Sequence, residues 1–149
     1  MATRPFSIEV QVRFRDLDAM RHVNNAVYFS YMELARTKYY MATMGLGNLE
    51  DIEFILAHAS CDFRAPIRWG EAVVVSVRPT RIGHSSFELT YEVRSKRRRT
   101  LFAQGTSVQV AYDYAAGRSK RIPPRLRRSL EAEMKRTTQL ARRAGSRRK

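Results

Sequence analysis

The stretch "NNAVYFSYMELARTKYYMATMGLG", Asn24 to Gly47, decides the fold. It has no proline, and no glycine before Gly45, and its apolar residues predict a long helix over 26–44 with a broad apolar surface. Asn24 or Asn25 is a favoured N-cap, and Gly45 is a helix stop signal. A single surface helix does not need apolar residues on more than one side. We therefore expect this helix to be the buried centre of the fold.

The segments on either side of this helix are typical of strands. Ser7 to Phe14 alternates apolar and polar residues, with Ile8, Val10, Val12 and Phe14 on one side. Four longer strand-like segments follow the helix: Phe54 to Phe63, Ala72 to Thr80, Ser85 to Ser95, and Leu101 to Tyr114. Short connections between them favour antiparallel neighbours. The order predicts a curled antiparallel sheet of five strands wrapped around the helix, and its long edges predict pairing with a second copy.

The end of the chain predicts a further element. The pair Pro123-Pro124 begins a helical stretch from Arg125 to about Arg143, and residues 144–149 are expected to form a mobile basic tail. Residues 1–143 are expected to form one domain, because 149 residues with 44% hydrophobic content suffice for one packed core.

Composition narrows the class of protein. No apolar run approaches the roughly 18 residues of a membrane-spanning helix, so we expect a soluble, cytoplasmic protein. The single cysteine, Cys61, excludes an intrachain disulfide and a thiolate metal cluster, and we expect it to be a small buried residue.

The formal net charge of +14 is unevenly distributed. Residues 1–114 carry 15 Lys and Arg against 12 Asp and Glu, whereas residues 115–149 carry 13 against 2. The basic end is either a solvated helix with a frayed terminus, or a surface that attracts the phosphates of a nucleotide-bearing ligand or of nucleic acid. The sequence leaves both interpretations open.

A candidate catalytic group lies directly before the long helix. The first N–H groups of the helix, with the positive end of its dipole, form a site for a carbonyl oxygen that gains negative charge. Asp18 in the preceding loop is placed to act on that carbonyl as a general base or a nucleophile. Alternatively, Asp16 and Asp18 only cap the loop and offset the dipole, while His22 makes a structural hydrogen bond. A metal site is a weaker interpretation, because these two carboxylates and one histidine lack a clear further set of ligands.

Other catalytic motifs are absent from the sequence. It has no dinucleotide-binding or P-loop fingerprint, and "GHSSF" at Gly83 to Phe87 lacks the second glycine of a serine-hydrolase elbow. Glu33 and Arg36, three residues apart on the long helix, are expected to pair with each other.

The string "DLDAMRHVNNAVYFSYMELAR" resembles the hot-dog-fold thioesterases of the 4-hydroxybenzoyl-CoA thioesterase-like family. The segments "CDFRAPIRWGE", "RIGHSSFELTYEV", "AQGTSVQVAYD" and "IPPRLRRSLE" follow in the order that the family uses, so the resemblance spans Ile8 to about Leu130. It implies an α+β hot-dog fold, a homodimer with sites at the subunit interface, often a dimer of dimers, and an acyl-CoA substrate with no cofactor.

The resemblance also implies roles for individual residues. Asp18 matches the catalytic aspartate, and the main-chain N–H of Asn25 matches the group that polarises the thioester carbonyl. His22 is given a supporting catalytic role, because Met20 replaces the asparagine found in plant acyl-carrier-protein thioesterases. The substrate-binding candidates are Tyr28, Arg81, His84 and Ser85, of which the last three are implied to line the pantetheine channel.

Three other functions remain open at the sequence level. An acyl-carrier-protein thioesterase would use the same chemistry on a different carrier, and a hot-dog dehydratase also pairs a carboxylate with a histidine. A non-catalytic protein that binds acyl thioesters or nucleic acid through the basic tail is the third. The preferred acyl group is not predicted.

Overall fold

Two long helices and six strands make up the described part of the chain. The computed structural model describes the backbone of residues 4–146 and the side chains of residues 4–143. The elements are β1 (Phe6–Gln11), α1 (Asn25–Met44), β2 (Phe54–Phe63), β3 (Ala72–Ile82), β4 (Ser86–Ser95), β5 (Leu101–Asp113), β6 (Arg118–Ser119) and α2 (Pro124–Ser146). Single 3-10 turns lie at Phe14–Asp16 and Leu49–Asp51.

The strands form one antiparallel sheet in the order β1-β3-β4-β5-β2, and the short β6 pairs with β5. Five of these strands were predicted, whereas β6 was not. Short hairpins join β3 to β4 and β4 to β5, so these three strands lie side by side in chain order, whereas β1 pairs with β3 and β2 pairs with β5. β1 and β2 are the two edges of the sheet.

One face of the sheet packs against α1. Alternate residues of β3 and β4 are buried on this face, which is the pattern of a half-buried strand: Val73, Val75, Val77, Phe87, Leu89, Tyr91 and Val93. α1 meets them with Met32, Ala35 and Tyr39, all at most 2% exposed. The helix ends as predicted at Gly45, whose φ of 65° is the left-handed conformation that glycine adopts readily.

Two expectations about packing are wrong. Phe14 is 80% exposed, because β1 ends at Gln11 and the chain then turns instead of continuing the alternation. Arg36 does not pair with Glu33: it lies on the sheet-facing side of α1, is 7% exposed, and donates a hydrogen bond to the hydroxyl of Tyr91 at 3.4 Å.

α2 packs against β3 and α1 through one side. Leu126 and Leu130 are fully buried, and Glu133 accepts a hydrogen bond from the hydroxyl of Tyr39 at 2.6 Å. The helix begins one residue before its predicted start, and residues 147–149 of the predicted mobile tail lie outside the described residues. Neither helix is long and apolar enough to cross a membrane.

Candidate active site at the start of the central helix

The loop between β1 and α1 folds back on itself in a tight turn. The N–H of Asp18 donates to the carbonyl of His22 at 2.8 Å, and the N–H of Arg21 donates to the carbonyl of Asp18 at 3.0 Å. Arg21 has φ 64°, a conformation that few non-glycine residues adopt. Val23 then donates to the carbonyl of Ile67 at 2.9 Å. The turn that carries Asp18 is therefore fixed both by its own bonds and by the segment that precedes β3.

The carboxylate of Asp18 is held by one oxygen. Its Oδ1 accepts from the N–H of Met20 at 2.8 Å and more weakly from the N–H of His22 at 3.4 Å. Its Oδ2 accepts no hydrogen bond from residues 4–143. The side chain is half-buried. One oxygen thus fixes the orientation, while the other is free to accept a proton from water, which is what a general base requires.

The start of α1 leaves a main-chain donor free. The side chain of Asn24 accepts from the N–H of Ala26 at 2.9 Å, and its carbonyl accepts from the N–H of Val27 at 2.9 Å, so Asn24 is the N-cap. The N–H of Asn25 has no acceptor within the described residues. At the positive end of a helix of 20 residues, this donor can stabilise an oxyanion.

Asp16 has a different environment from Asp18. Its side chain is buried and accepts hydrogen bonds from the guanidinium and N–H of Arg13 and from the hydroxyl of Tyr31, with shortest distances of 2.9 Å. Burial raises the pKa of the carboxyl, but the bonds from Arg13 and Tyr31 outweigh it and hold the pKa below its usual value. Asp16 is therefore an ionised structural anchor, and its partners were not foreseen from the sequence.

His22 contributes to the turn through its main chain. Its carbonyl and N–H both bond to Asp18, and it forms an isolated β-bridge with Arg68. Within residues 4–143, its imidazole makes no hydrogen bond. The supporting role of His22 in catalysis stays a prediction, since no contact between the side chains of His22 and Asp18 supports it.

Tyr28 lies one helical turn into α1 and is buried. Its hydroxyl donates to the carbonyl of Ala65 at 3.5 Å, and its ring packs edge-to-face against Phe63 with centroids 5.0 Å apart. Phe63, at the end of β2, is 44% exposed. Of the two rings, that of Phe63 is accessible from outside, whereas that of Tyr28 is covered.

The other substrate-binding candidates lie at the opposite end of the molecule. Arg81 follows nine residues after the start of β3, which corresponds to about 30 Å of extended strand. His84 and Ser85 form the β3–β4 turn, where their carbonyls accept from the N–H groups of Ile122 and Ala111. Within one chain, the structure therefore does not bring Arg81, His84 and Ser85 together with Asp18.

An exposed aromatic pair next to the turn that carries Asp18 was not predicted from the sequence. Phe14 and Trp69 pack edge-to-face with centroids 6.0 Å apart, and Trp69 is 60% exposed. Trp69 follows Arg68, the residue bridged to His22. The sequence placed Phe14 in the core, and no pattern connected it to Trp69.

Two remaining groups bear on the chemistry of the site. Cys61 is half-buried, and burial raises the pKa of its thiol to about 11, so it is protonated at neutral pH. Among the described residues, no three His, Cys, Asp or Glu side chains lie close enough together to hold a metal ion.

Comparison with known proteins identifies related sequences and structures. The sequence profile of the thioesterase-like superfamily matches residues 12–130. The 1,4-dihydroxy-2-naphthoyl-CoA hydrolase of Nostoc punctiforme is 32% identical over 127 residues, which span 80% of this chain and 81% of the relative.

Solved structures show the same architecture. A thioesterase of Thermus thermophilus in complex with coenzyme A and zinc is 37% identical, with a TM-score of 0.76, and the match covers 86% of this chain and 93% of that one. A predicted thioesterase of Bacillus stearothermophilus has a TM-score of 0.80 over 87% of this chain and 96% of that one, and its 22% identity supports the fold alone. The expected hot-dog fold is confirmed.

Proposed function

Because the chain belongs to the thioesterase-like superfamily, we propose that this thioester hydrolase cleaves an acyl-CoA into a free acid and CoA. One observation carries the proposal: a carboxylate with a free oxygen and a helix N-terminus with a free N–H belong to the same segment, Asp18 to Asn25. A general base and an oxyanion donor are two groups that accelerate hydrolysis of a carbonyl compound.

In the proposed reaction, the thioester carbonyl oxygen accepts a hydrogen bond from the N–H of Asn25. Asp18 removes a proton from a water molecule, whose oxygen attacks the carbonyl carbon. The resulting oxyanion is stabilised by the same N–H and by the helix dipole. When the carbon–sulfur bond breaks, the thiolate of CoA leaves and takes the proton from Asp18, so the carboxylate is regenerated and the products are the acid and the thiol.

Substitution of Asp18 tests this proposal. We expect Asp18→Asn to lower kcat at least 100-fold, because an amide cannot accept the proton and general bases contribute roughly 100- to 10,000-fold. Asp51→Asn, which changes an exposed carboxylate in a 3-10 turn, is the matched control. Circular dichroism should show both variants folded. Near-normal hydrolysis by folded Asp18→Asn would reject the role of Asp18.

A labelling experiment tests whether Asp18 acts as a nucleophile. If Asp18 attacks directly, it forms an anhydride with the acyl group, and water then hydrolyses that anhydride. A single turnover in ¹⁸O-water followed by mass spectrometry of the peptide that contains Asp18 reports the difference. Attack of water on the carboxyl carbon of Asp18 would leave label in the peptide and would identify Asp18 as the nucleophile. An unlabelled peptide with a labelled product acid fits either a general base or attack of water on the acyl carbon of the anhydride.

We also infer that the site is completed by a second subunit. β2 is an edge strand with exposed apolar residues, and pairing of two copies along it buries them. In an antiparallel β2–β2 pair, the Phe54 end of one subunit lies beside the Phe63 end of the other. The β3–β4 turn lies at the Phe54 end and Tyr28 lies at the Phe63 end. The partner's turn is thereby brought to the Asp18 end, and a dimer of dimers remains compatible with this arrangement.

The acyl group is proposed to be aromatic. The naphthoyl-CoA hydrolase of Nostoc punctiforme provides the precedent, and the exposed ring of Phe63 beside Tyr28 provides a stacking surface. A panel of benzoyl-, naphthoyl- and straight-chain acyl-CoA, read by release of free thiol, tests the preference. Higher kcat/KM for straight chains throughout would reject the aromatic assignment. The same acyl group on a carrier protein would show whether CoA is the carrier.

A further inference from the structure

α2 presents a line of cations on its solvent side. Arg125, Arg128, Lys135 and Arg142 are exposed, and the last three are spaced by seven residues, or nearly two turns. We call these four residues the cationic stripe. Arg128, Lys135 and Arg142 lie on the side of the helix opposite Leu126 and Leu130, which are buried against the body of the protein. The guanidinium of Arg125, at the start of the helix, lies beside Gly45 at the end of α1. The packing of α2 therefore directs the last three cations of the stripe away from the core.

The charges of the stripe are not neutralised within the chain. Among the ion pairs of residues 4–143, none includes a member of the stripe. Glu131 lies 3.7 Å from Arg127, and Glu133 is bound to Tyr39, so both acids of α2 have other partners. Residues 115–149 carry 13 Lys and Arg against 2 Asp and Glu. This excess attracts an external anion.

The shape of the surface fits a long polyanion. From Arg128 to Arg142 the stripe extends for about 21 Å along the helix, at 1.5 Å per residue. A groove of about 520 Å³ lies between α2 and the end of β3, and its lining includes three cations, one acid and two apolar residues: Arg127, Lys135, Arg142, Glu131, Ile82 and Met134. A chain of regularly spaced phosphates would contact several members of the stripe at once, whereas a single nucleotide would contact only part of it.

The chemistry of the helix favours nucleic acid over a membrane. Helices that bind membranes insert large apolar side chains, and none of the exposed large apolar residues of the described chain lies beyond Tyr114. Three of the four cations are arginines, whose planar guanidinium binds phosphate oxygens in pairs.

We propose that the cationic stripe binds the phosphodiester backbone of nucleic acid without sequence preference, at a surface separate from the Asp18 turn. The interaction is electrostatic and is weakened by salt. Each phosphate contact contributes about −0.7 to the slope of log K against log salt for a single strand, so four contacts predict a slope near −3.

Fluorescence anisotropy with a labelled 20-nucleotide single strand, titrated between 50 and 200 mM NaCl, tests the proposal. The test variant replaces all four residues of the stripe with glutamine. The control replaces Lys96, Arg97, Arg98 and Arg99, in the β4–β5 turn, with glutamine, which removes the same formal charge from the opposite end of the sheet. Both variants are assayed for thioester hydrolysis.

We expect the stripe variant to bind about tenfold more weakly and with a flatter salt slope, while the control retains most of its affinity. Hydrolysis should be unchanged in the stripe variant. Equal losses in both variants would overturn the proposal in favour of a net-charge effect. A raised KM for acyl-CoA with unchanged oligonucleotide binding would assign the stripe to the substrate nucleotide instead. Tighter binding to phosphatidylglycerol vesicles than to the oligonucleotide would assign it to a membrane.

Discussion

The hydroxyl of Tyr31 donates a 2.9 Å hydrogen bond to the buried carboxylate of Asp16, and this bond fastens α1 to the loop that carries Asp18. The carboxylate of Asp16 also accepts hydrogen bonds from three groups of Arg13, its main-chain N–H, Nε and Nη2, and the carbonyl of Asp16 accepts from the N–H of Asn24 at 2.8 Å. Asp16 thus connects the end of β1, the turn that carries Asp18 and the helix N-cap. The two carboxylates of the D-x-D pair therefore differ in environment. Asp16 is buried and holds the loop in place, whereas Asp18 is half-buried in the turn that Asp16 supports.

Removal of the Tyr31 hydroxyl should destabilise the protein and misplace the turn. We expect Tyr31→Phe to lower the free energy of unfolding by roughly 1–3 kcal/mol, because it removes a donor from a buried carboxylate. Urea denaturation followed by circular dichroism measures the change. Tyr112→Phe, at a half-buried tyrosine far from the loop, is the control. A stability equal to that of the wild type would show that Arg13 alone satisfies Asp16.

Asp16 should also make stability depend on pH. Its folded pKa lies below the ordinary value of 3.8, so its contribution is fully present above that pH and is lost as the pH falls through the folded value. Asp16→Asn should therefore be less stable than the wild type at pH 7, and the difference should shrink as the pH falls below about 4. Denaturation curves between pH 2.5 and pH 7 test this. A difference that stays constant over that range would contradict the assignment.

Gly105 in β5 lies directly against the side chain of Met32 in α1. A methyl group there would overlap the sulfur of Met32 and lie 3.1 Å from the carbonyl of Ser60. We expect Gly105→Ala to destabilise the protein by about 1–3 kcal/mol, as other overpacked cores do. The same substitution should cost less in a Met32→Ala background, which removes the obstructing sulfur. Equal costs in both backgrounds would place the strain at Ser60 instead.

Much of the fold could be predicted from the sequence, because glycine, proline and charged turn residues mark the ends of the strands and of α1. The bounds of β2 were predicted to the residue, and α1 began one residue earlier than expected. Arg36 was misplaced because its charge suggested the surface, whereas the spacing from Met32 and Tyr39 puts it on the side that faces the sheet. The three-residue spacing that predicted a Glu33–Arg36 pair does not show which side of the helix faces the sheet.

The sequence predicted only that part of the candidate site whose residues are close together along the chain. Asp18 and Asn25 lie in one short segment, so the turn and the helix start bring them into one loop. His84 and Ser85 were assigned to the same site by resemblance, but they lie at the far end of the sheet in one chain. The way in which two subunits pair depends on the assembly. The spacing of residues along one sequence does not predict it.

Charged residues on β2 should disrupt the proposed dimer. Ile55 and Leu56 are 43% and 44% exposed in the single chain, so Ile55→Glu with Leu56→Glu should leave the monomer folded. Facing copies would then place like charges together along the paired edges. We expect light scattering to show monomers, with hydrolysis lost. Ser7→Glu with Gln11→Glu, on the opposite edge, should leave the dimer intact. A dimeric and active β2 variant would exclude pairing along this edge.

Mixing two defective subunits provides the sharpest test of a shared site. Asp18→Asn removes the base, and Arg81→Ala with His84→Ala removes binding groups at the β3–β4 turn. If each site combines Asp18 from one subunit with the turn from the other, every mixed dimer contains one intact site and one doubly defective site. Random mixing makes half of the dimers mixed, which restores roughly a quarter of the wild-type kcat/KM.

A site formed within a single subunit predicts a different kcat/KM for the mixture. If each site lies within one subunit, a mixed dimer contains one site of each defective kind, and the activity of the mixture equals the average of its two parents. Coexpression with two affinity tags isolates the mixed dimer, and kcat/KM measured well below KM compares it with both parents. Recovery far above both parents requires that the turn bearing Arg81 and His84 act on the substrate held beside the partner's Asp18.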